Sequence, residues 1–370
     1  MRRVLPEGDE LGPFKVVHVD VPAVGLKGVL VVDNVAAGPA IGGLRISPTV
    51  DAVEVARLAR AMTLKSAIAA LPHGGAKSAI LADPHLPRER KEQLVRAFAR
   101  ALASECDYIF GPDMGSDETA MAWVKDEIGR ATGLPRALGG IPLDEVGATG
   151  WGLRHAAEVA AGFCGLKLTS ARVAVQGFGA VGRHAARFLT ERGAVVVAAA
   201  DSSATVYDPR GLEVARLIEY KAAGGRFADW RGGEVLPPQA VLEVECDVLI
   251  PAAQPDVIHP DNAERVKARL VLEGANIPVT EAAEQALHAR GVLCVPDIVA
   301  NAGGVICAAL EYRGATQATA FAAIEERLRA ATEWTLKTAR EVGITPRAAA
   351  LQLARRNLDE AMASRRFGLF

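Results

Sequence analysis

The chain has 370 residues, half of them hydrophobic and 23% charged, with a formal net charge of −2. At about 150 residues per domain this is material for two packed domains, and it excludes a disordered chain. No block of the sequence carries the basic excess that a duplex or an anionic membrane surface selects, which argues against nucleic-acid and membrane partners.

In chain order, Phe14–Val21 and Leu26–Val32 show β-branched alternation around a Pro/Gly turn at Pro22–Gly25 and predict a hairpin. A glycine-rich link, Ala36–Arg45, is expected to follow. Asp51 and Glu54 have the spacing of a helix-opening capping pair, and the helix should run through Val55, Leu58, Met62, Lys65 and Ala69 to stop before Pro72. His73-Gly-Gly-Ala-Lys77 leads into a short apolar strand, then a helix over about Pro87–Ser104, and Tyr108–Gly115 reads as a strand ending in a turn. From about Gly147 the texture changes. A helix over Gly150–Ala161 precedes a strand at Arg172–Gln176, a helix to Arg192 and a buried strand at Ala194–Ala200. Short apolar runs at Val248–Pro251, Leu270–Glu273 and Val292–Pro296 complete an alternation of strands and helices that predicts a doubly wound parallel sheet. The stretch from Thr319 to Phe370 is helical in pattern. The expected architecture is α/β in two domains, residues 1–142 and 143–330, with a cleft between them. Helices over about 331–370 are expected to pack back on the first domain.

The N-terminus turns acidic at Glu7, Asp9 and Glu10 before any apolar run, unlike a secretory signal. The longest apolar stretch, Ala194–Ala200, is far too short to cross a bilayer. Five widely spaced cysteines form no CxxC pair, and the histidines no HxxxH pair. The expectation is a cytoplasmic protein with reduced thiols and no metal site.

Gly177-Phe178-Gly179-Ala180-Val181-Gly182 follows a strand and opens a helix. The first glycine permits the tight turn, the second lets a pyrophosphate approach the helix N-terminus, and the third allows close helix–strand packing. Asp201, nineteen residues on at the end of the next strand, is placed to accept from a ribose 2′-hydroxyl. Such a carboxylate repels a 2′-phosphate, and no lysine or arginine immediately follows it. NAD is therefore expected, with NADP possible.

Lysine is scarce beside arginine in this chain, so Lys65 and Lys77, both in the glycine-rich first domain, stand out as amines that can deprotonate where arginine cannot. Several stretches together resemble the glutamate/leucine/phenylalanine/valine dehydrogenase family: Gly38-Pro-Ala-Ile-Gly-Gly-Leu-Arg45, Met62-Thr-Leu-Lys65, Leu71-Pro-His-Gly-Gly-Ala-Lys77, Gly111-Pro-Asp-Met-Gly115, Gly147-Ala-Thr-Gly150, the Gly177 fingerprint, Glu273-Gly-Ala-Asn276 and Asn301-Ala-Gly-Gly-Val305. They occur in the family's order over most of the chain.

The resemblance implies reversible oxidative deamination of an L-amino acid to a 2-oxo acid and ammonia by a homo-oligomer. It makes Lys65, with the Gly42–Gly43 backbone, the holder of the α-carboxylate. Lys77 becomes the low-pKa group that activates water, and Asp113 the proton shuttle. Thr149, Asn276 and Asn301 would orient the nicotinamide end, and Ala252 joins the cofactor-binding residues.

Glutamate enzymes of the family resemble one another in a lysine just before the GGLR glycines and a serine after NAGGV; here those positions are Ile41 and Ala308. An apolar pair grips no side-chain carboxylate, so the expectation is an apolar substrate of the leucine/valine/phenylalanine type. The alternatives are a glutamate dehydrogenase with another carboxylate anchor, a non-catalytic regulatory homologue, and a hydroxy-acid dehydrogenase, for which no catalytic histidine with an acidic partner is evident. Two departures from the family pattern are Ser78-Ala79 in place of Gly-Gly, and Asp201-Ser-Ser-Ala without the usual ribose-loop glycine.

Overall fold

A computed structural model describes residues 8–364. The chain divides into two compact units. One comprises the residues to Leu143 together with Val305–Ala320 and the segment from Leu353; the other comprises Asp144–Gly304 and Phe321–Gln352.

In the first unit, strands β1 (Lys15–Val21) and β2 (Leu26–Asn34) form the expected hairpin, turning at Gly25 with φ of 59°. Strand β3 (Ala40–Ser47) follows, then helix α1 (Ala52–Ile68), β4 (Gly75–Leu81), α2 (Arg88–Ala101), β5 (Tyr108–Pro112) and α3 (Glu118–Ile128). The Asp51 side chain caps α1 by accepting from the Glu54 N–H at 2.8 Å, as the capping pair predicts. The sheet order is β1-β2-β4-β3-β5. β2 pairs antiparallel with β1 and β4, and β3 lies parallel to β4 and β5.

Strand alternation divides the sheet's faces. Leu26, Leu30, Val32, Leu44, Ile80 and Phe110 pack against Phe98 of α2 and Met121 and Val124 of α3. Val29, Val31 and Ala79 pack on the other face with Val55 and Ala59 of α1. Lys77 has the parity of Ala79 and so emerges on the α1 face.

The glycine-rich stretch expected as a link is in fact the strand β3, deep in this sheet. Glycine is required there by close approach rather than by flexibility. A Cβ on Gly42 would lie 2.0 Å from the Ala76 carbonyl oxygen, and one on Gly43 would lie 2.8 Å from the Asp113 Cβ. Low strand propensity hid the element because tertiary contact overrides it.

The second unit starts at Asp144, within the one-turn helix α4 (Leu143–Val146), and continues with α5 (Ala148–Phe163), β6 (Arg172–Gln176), α6 (Ala180–Thr190), β7 (Val195–Ala200), β8 (Thr205–Tyr207), α7 (Val214–Ala222), β9 (Glu234–Leu236), β10 (Val248–Pro251), α8 (Pro260–Ala263), β11 (Leu270–Leu272), α9 (Glu281–Ala289), β12 (Leu293–Val295) and α10 (Asp297–Ala300). Its sheet runs β12-β11-β10-β6-β7-β8-β9. The first five strands are parallel, with β6 flanked by β10 and β7, the reversal of order expected of a Rossmann-type domain. β8 and β9 add an antiparallel edge not foreseen from the sequence.

The last helices are α11 (Gly303–Tyr312), α12 (Gln317–Val342) and α13 (Pro346–Ser364). Residues 331–370, expected to pack back on the first domain, are divided between the two units. Residues Phe321–Gln352 belong with the second unit, and the first unit takes the chain again at Val305–Ala320 and from Leu353. One physical reason is ionic, since Arg347 is buried among carboxylates of the second unit. The cysteines are free thiols. Among the described residues no helix is long and apolar enough to cross a membrane, and no cluster of metal-ligating side chains occurs.

Replacing Gly42 with Ala should lower stability by ~1–3 kcal/mol or more, through overpacking against Ala76. Gly162→Ala, on α5 with nothing within 4 Å of the added methyl, should be neutral or gain about 0.5–1 kcal/mol. Urea midpoints measure both; equal midpoints would refute the account of β3.

Candidate functional site

Two groups of side chains stand out, one in each unit. In the first, β3, β4 and β5 bring charged side chains to a common face. Lys77 Nζ lies 2.8 Å from Asp113 Oδ1, and Arg45 Nε lies 2.8 Å from Asp113 Oδ2. Lys77 is only 5% exposed. Burial by itself would raise the Asp113 pKa, but the charges of Lys77 and then Arg45 outweigh it and hold the carboxyl below its ordinary range. Arg45 also donates to Glu54 Oε1 at 2.7 Å, which fixes its guanidinium from both ends. The loop carrying Asp113 is tied by Ser116, whose side chain accepts from the Asp113 N–H at 3.0 Å and donates to the Leu44 carbonyl at 2.7 Å.

Gly43 faces this group, since a Cβ there would sit 3.2 Å from Lys77 Nζ. The result is an open floor of backbone beside a buried ammonium and a half-buried carboxylate. Lys65, in the last turn of α1, is 6% exposed. Under the floor, Ser78 meets the Tyr108 hydroxyl at 2.8 Å, and Tyr108 donates to the Gly42 carbonyl at 2.8 Å. The departure at Ser78 thus has a structural use. Its side chain points away from Lys77 and completes a hydrogen-bonded chain that pins the glycine strand.

Ile41 and Ala308 are both buried. Ile41 pairs with Ile109 of β5, while Thr132, whose N–H donates to Phe110 of the same strand, also donates its hydroxyl to the Ala308 carbonyl at 2.8 Å. His73, from the strand entry before Lys77, is 4% exposed. Its Nδ1 lies 3.0 Å from the Pro39 carbonyl, and its ring meets Tyr312 edge-on, one helical turn from Ala308. A carbonyl only accepts, so Nδ1 carries the hydrogen. His73 Nε2 is buried without a partner, and burial lowers the ring's pKa.

In the second unit a cavity of about 910 Å³ is lined by Gly177, Phe178, Gly179, Asp201, Lys221 and Ala252, among others. Gly177 takes φ of 90°, and a Cβ on Gly182 would lie 1.9 Å from the Gly177 carbonyl oxygen. Gly179 caps α6 without any side-chain hydrogen bond, and a Cβ there would meet nothing within 4 Å. The backbone N–H groups of Ala180 and Val181 thus begin a helix that offers a partial positive charge to an anion. The residues fit a dinucleotide.

Asp201 stands at the end of β7 as expected, but it is already engaged. Its Oδ1 accepts from Ser203 Oγ at 2.6 Å and from the N–H groups of Ser203 and Ala204. Its Oδ2 accepts from Lys221 Nζ at 2.6 Å and from the Phe227 N–H. Burial opposes the charge, yet Lys221, Ser203 and Phe227 outweigh it and hold the carboxyl far below its usual range. Ser202-Ser203-Ala204 replaces the missing ribose-loop glycine with a turn closed on Asp201 itself.

In the same unit, Asn301 Nδ2 donates to the Ala275 carbonyl at 2.9 Å and sits 3.4 Å from both the Gly274 carbonyl and Asn276 Oδ1. Those acceptors orient the amide, leaving Asn301 Oδ1 buried and without a partner. Gly304 lies close to Thr149, since a Cβ there would be 3.1 Å from Thr149 Oγ1. Thr149, Asn276 and Asn301 are thus gathered in one neighbourhood.

Sequence reasoning missed three participants. Arg45 was quoted in a motif but given no role, although its strand parity with Gly43 marks it. Lys221 comes from α7, and no spacing rule relates it to Asp201. Arg347 arrives from α13 and carries no local signal at all.

A two-domain α/β chain with a Rossmann-type sheet, and a lysine–aspartate pair on a second sheet, defines a class of nucleotide-dependent oxidoreductase. Comparison with known proteins makes this specific. Residues 139–366 match the Glutamate/Leucine/Phenylalanine/Valine dehydrogenase family, and residues 13–130 match the Glu/Leu/Phe/Val dehydrogenase dimerisation domain. The chain belongs to this family of NAD(P)-dependent amino acid dehydrogenases.

It is 41% identical over 309 residues to the glutamate dehydrogenase of Thermotoga maritima, covering 80% of this chain and 73% of that one. It is 40% identical over 294 residues to that of Aeropyrum pernix, covering 75% and 70%. Among solved structures it is similar to a hetero-hexameric glutamate dehydrogenase from Thermus thermophilus in its Leu-bound form. The identity there is 35% and the TM-score 0.87, over 97% of this chain and 91% of that one.

Proposed function

We propose that this enzyme catalyses reversible oxidative deamination of an L-amino acid, with Lys77 and Asp113 as its catalytic pair. The observation that carries the reading is the 2.8 Å contact between the buried Lys77 and the half-buried Asp113 beside the open backbone of Gly43. Lys65 and the Gly42–Gly43 backbone hold the α-carboxylate, leaving Cα to react. A bound nicotinamide supplies the hydride acceptor, or the donor in the reverse direction. The chemistry that group would supply is removal of hydride from Cα, leaving an imino carbon to which water would add. Lys77 Nζ would take the water's proton as the C–O bond forms, Asp113 would deliver a proton to the nitrogen, and the hydroxyl proton would return to the Asp113 carboxylate as C=O forms and the C–N bond breaks to release ammonia. A proton passed along the contact to Asp113 frees the Lys77 lone pair. Arg45, bound to the other carboxylate oxygen, keeps Asp113 in place as this happens.

The relatives favour L-glutamate over the apolar substrates expected from the sequence, and a glutamate enzyme on this chain must anchor the side-chain carboxylate away from Ile41 and Ala308. His73 is a candidate: its unpartnered Nε2 would donate to a carboxylate once protonated. The second reading, an apolar substrate, is favoured by the Ile41–Ala308 pair itself, which offers no donor. For the dinucleotide, Asp201 favours NAD, while Lys221 offsets its charge and tempers its repulsion of a 2′-phosphate. Thr149, Asn276 and Asn301 face the nicotinamide end. A homo-oligomer built mainly through the first unit is in keeping with the dimerisation-domain match.

Lys77→Met should reduce turnover by at least ~100-fold, with dinucleotide affinity retained; undiminished turnover in steady-state assays would remove Lys77 from the mechanism. Initial rates on L-glutamate, L-leucine, L-valine and L-phenylalanine decide the substrate. If glutamate leads, His73→Phe should depress the glutamate rate selectively; dominant apolar rates would establish the second reading, and silence on every amino acid the regulatory one. Lys221→Met should raise the NADP KM relative to that of NAD by about tenfold, and an unchanged ratio would mean the 2′ position is read elsewhere.

A further inference from the structure

In the second unit one guanidinium meets three carboxylates. Arg347, one residue into α13, binds Glu273 Oε2 at 2.8 Å, Glu284 Oε2 at 2.7 Å and Asp297 Oδ1 at 2.9 Å. Glu273 and Asp297 are essentially inaccessible, at 0% and 1% exposure. Placing this many charges out of water costs a great deal unless every partner is satisfied, so the cluster is an expensive way merely to attach a helix.

The three acids sit on different elements. Glu273 begins the loop after β11, Asp297 opens α10, and Glu284 lies on α9. Two of these elements carry the residues assigned above to the nicotinamide: Asn276 is three residues beyond Glu273, and Asn301 closes α10, four residues beyond Asp297. The two are stitched directly as well. Asp297 Oδ2 accepts from the Ile277 N–H at 3.0 Å, and Glu273 Oε2 lies 3.3 Å from the Asp297 N–H. Glu273 and Asp297 therefore both bind Arg347 and accept from backbone N–H groups, that of Ile277 next to Asn276 and that of Asp297 at the start of the turn that Asn301 closes. Burial raises the Glu273 pKa well above the carboxylate range even with Arg347 alongside.

We propose that Arg347 is a positioning residue for the nicotinamide end of the dinucleotide, acting through Glu273 and Asp297 to hold Asn276 and Asn301 in register. The unpartnered Asn301 Oδ1 is the acceptor that this register presents. The proposal rests on the reading of those asparagines as nicotinamide contacts. It predicts a defect confined to one end of the ligand, because Arg347 touches nothing at the Gly177 loop or Asp201.

ADP-ribose, which keeps the adenosine, pyrophosphate and second ribose but lacks the nicotinamide, separates the two ends. Binding of NADH and of ADP-ribose to the full-length protein is measured by titration calorimetry for the wild type, Arg347→Met, Arg347→Lys and Asn301→Ala. The expected result is that Arg347→Met weakens NADH by at least about fivefold and leaves ADP-ribose within about twofold, with Arg347→Lys intermediate. If Arg347→Met does not fold, Asp297→Asn, which keeps an acceptor for Ile277, carries the same expectation in smaller measure. Equal weakening of both ligands would reduce Arg347 to a stabiliser of the unit, and no change in either would remove it from binding; both overturn the proposal. Asn301→Ala tests the underlying reading. If it leaves the NADH to ADP-ribose ratio unchanged, the nicotinamide lies elsewhere and the proposal falls with that reading. If it shifts the ratio while the Arg347 variants do not, only the proposal falls.

Discussion

Asp113 held between two cations is the interaction around which the candidate site of the first unit is built. Taking a carboxylate largely out of water is costly, and here the cost is offset from both sides, by Lys77 on β4 and Arg45 on β3. The arrangement requires three adjacent strands to carry their charged side chains on a common face at neighbouring levels. Parallel pairing of β3 with both β4 and β5 delivers that. It also requires that nothing else occupy the space, which is why the middle strand is glycine where it passes the pair. The order β1-β2-β4-β3-β5 is thus a device for bringing an ammonium, a guanidinium and a carboxylate to the same face.

The dinucleotide half follows a different logic. Its binding loop depends on backbone geometry, with a bare helix N-terminus and glycines where side chains would collide. Ion pairs brought from afar hold its other loops. Lys221 on α7 engages Asp201 after β7, and Arg347 on α13 engages Glu273 after β11 and Asp297 of α10. Both cations come from helices well removed in sequence from the loops they control.

Much of this could be read before any fold was known. The hairpin, the Asp51 cap, the Gly177 loop and the acid at Asp201 all rest on local rules, and local rules are legible in a sequence. The lysine and aspartate of the catalytic pair were found through motif resemblance, because nothing in their own neighbourhoods says that Lys77 and Asp113 touch. β3 was missed because Gly42 and Gly43 look like a linker by propensity, whereas their value lies in contacts with Ala76 and Asp113 that only the folded sheet reveals. Arg45, Lys221 and Arg347 share one difficulty. Each acts across a gap in sequence that no periodicity spans. The division of the closing helices between the two units is hidden for the same reason, since the ionic anchor at Arg347 leaves no trace in the pattern of the helix that carries it.

The glycine strand has a consequence for how such an enzyme changes over generations. Of the positions on β3 that look toward the reacting groups, Gly43 is closed to substitution by its contact with Asp113, and Arg45 is committed to that carboxylate. Ile41, buried and apolar, has no such polar commitment. On the proposed reading, the strand separates the invariant part of the chemistry from the variable part within five residues of chain. A lineage could then exchange one amino acid substrate for another at this strand through a single codon, leaving the apparatus that moves the protons untouched.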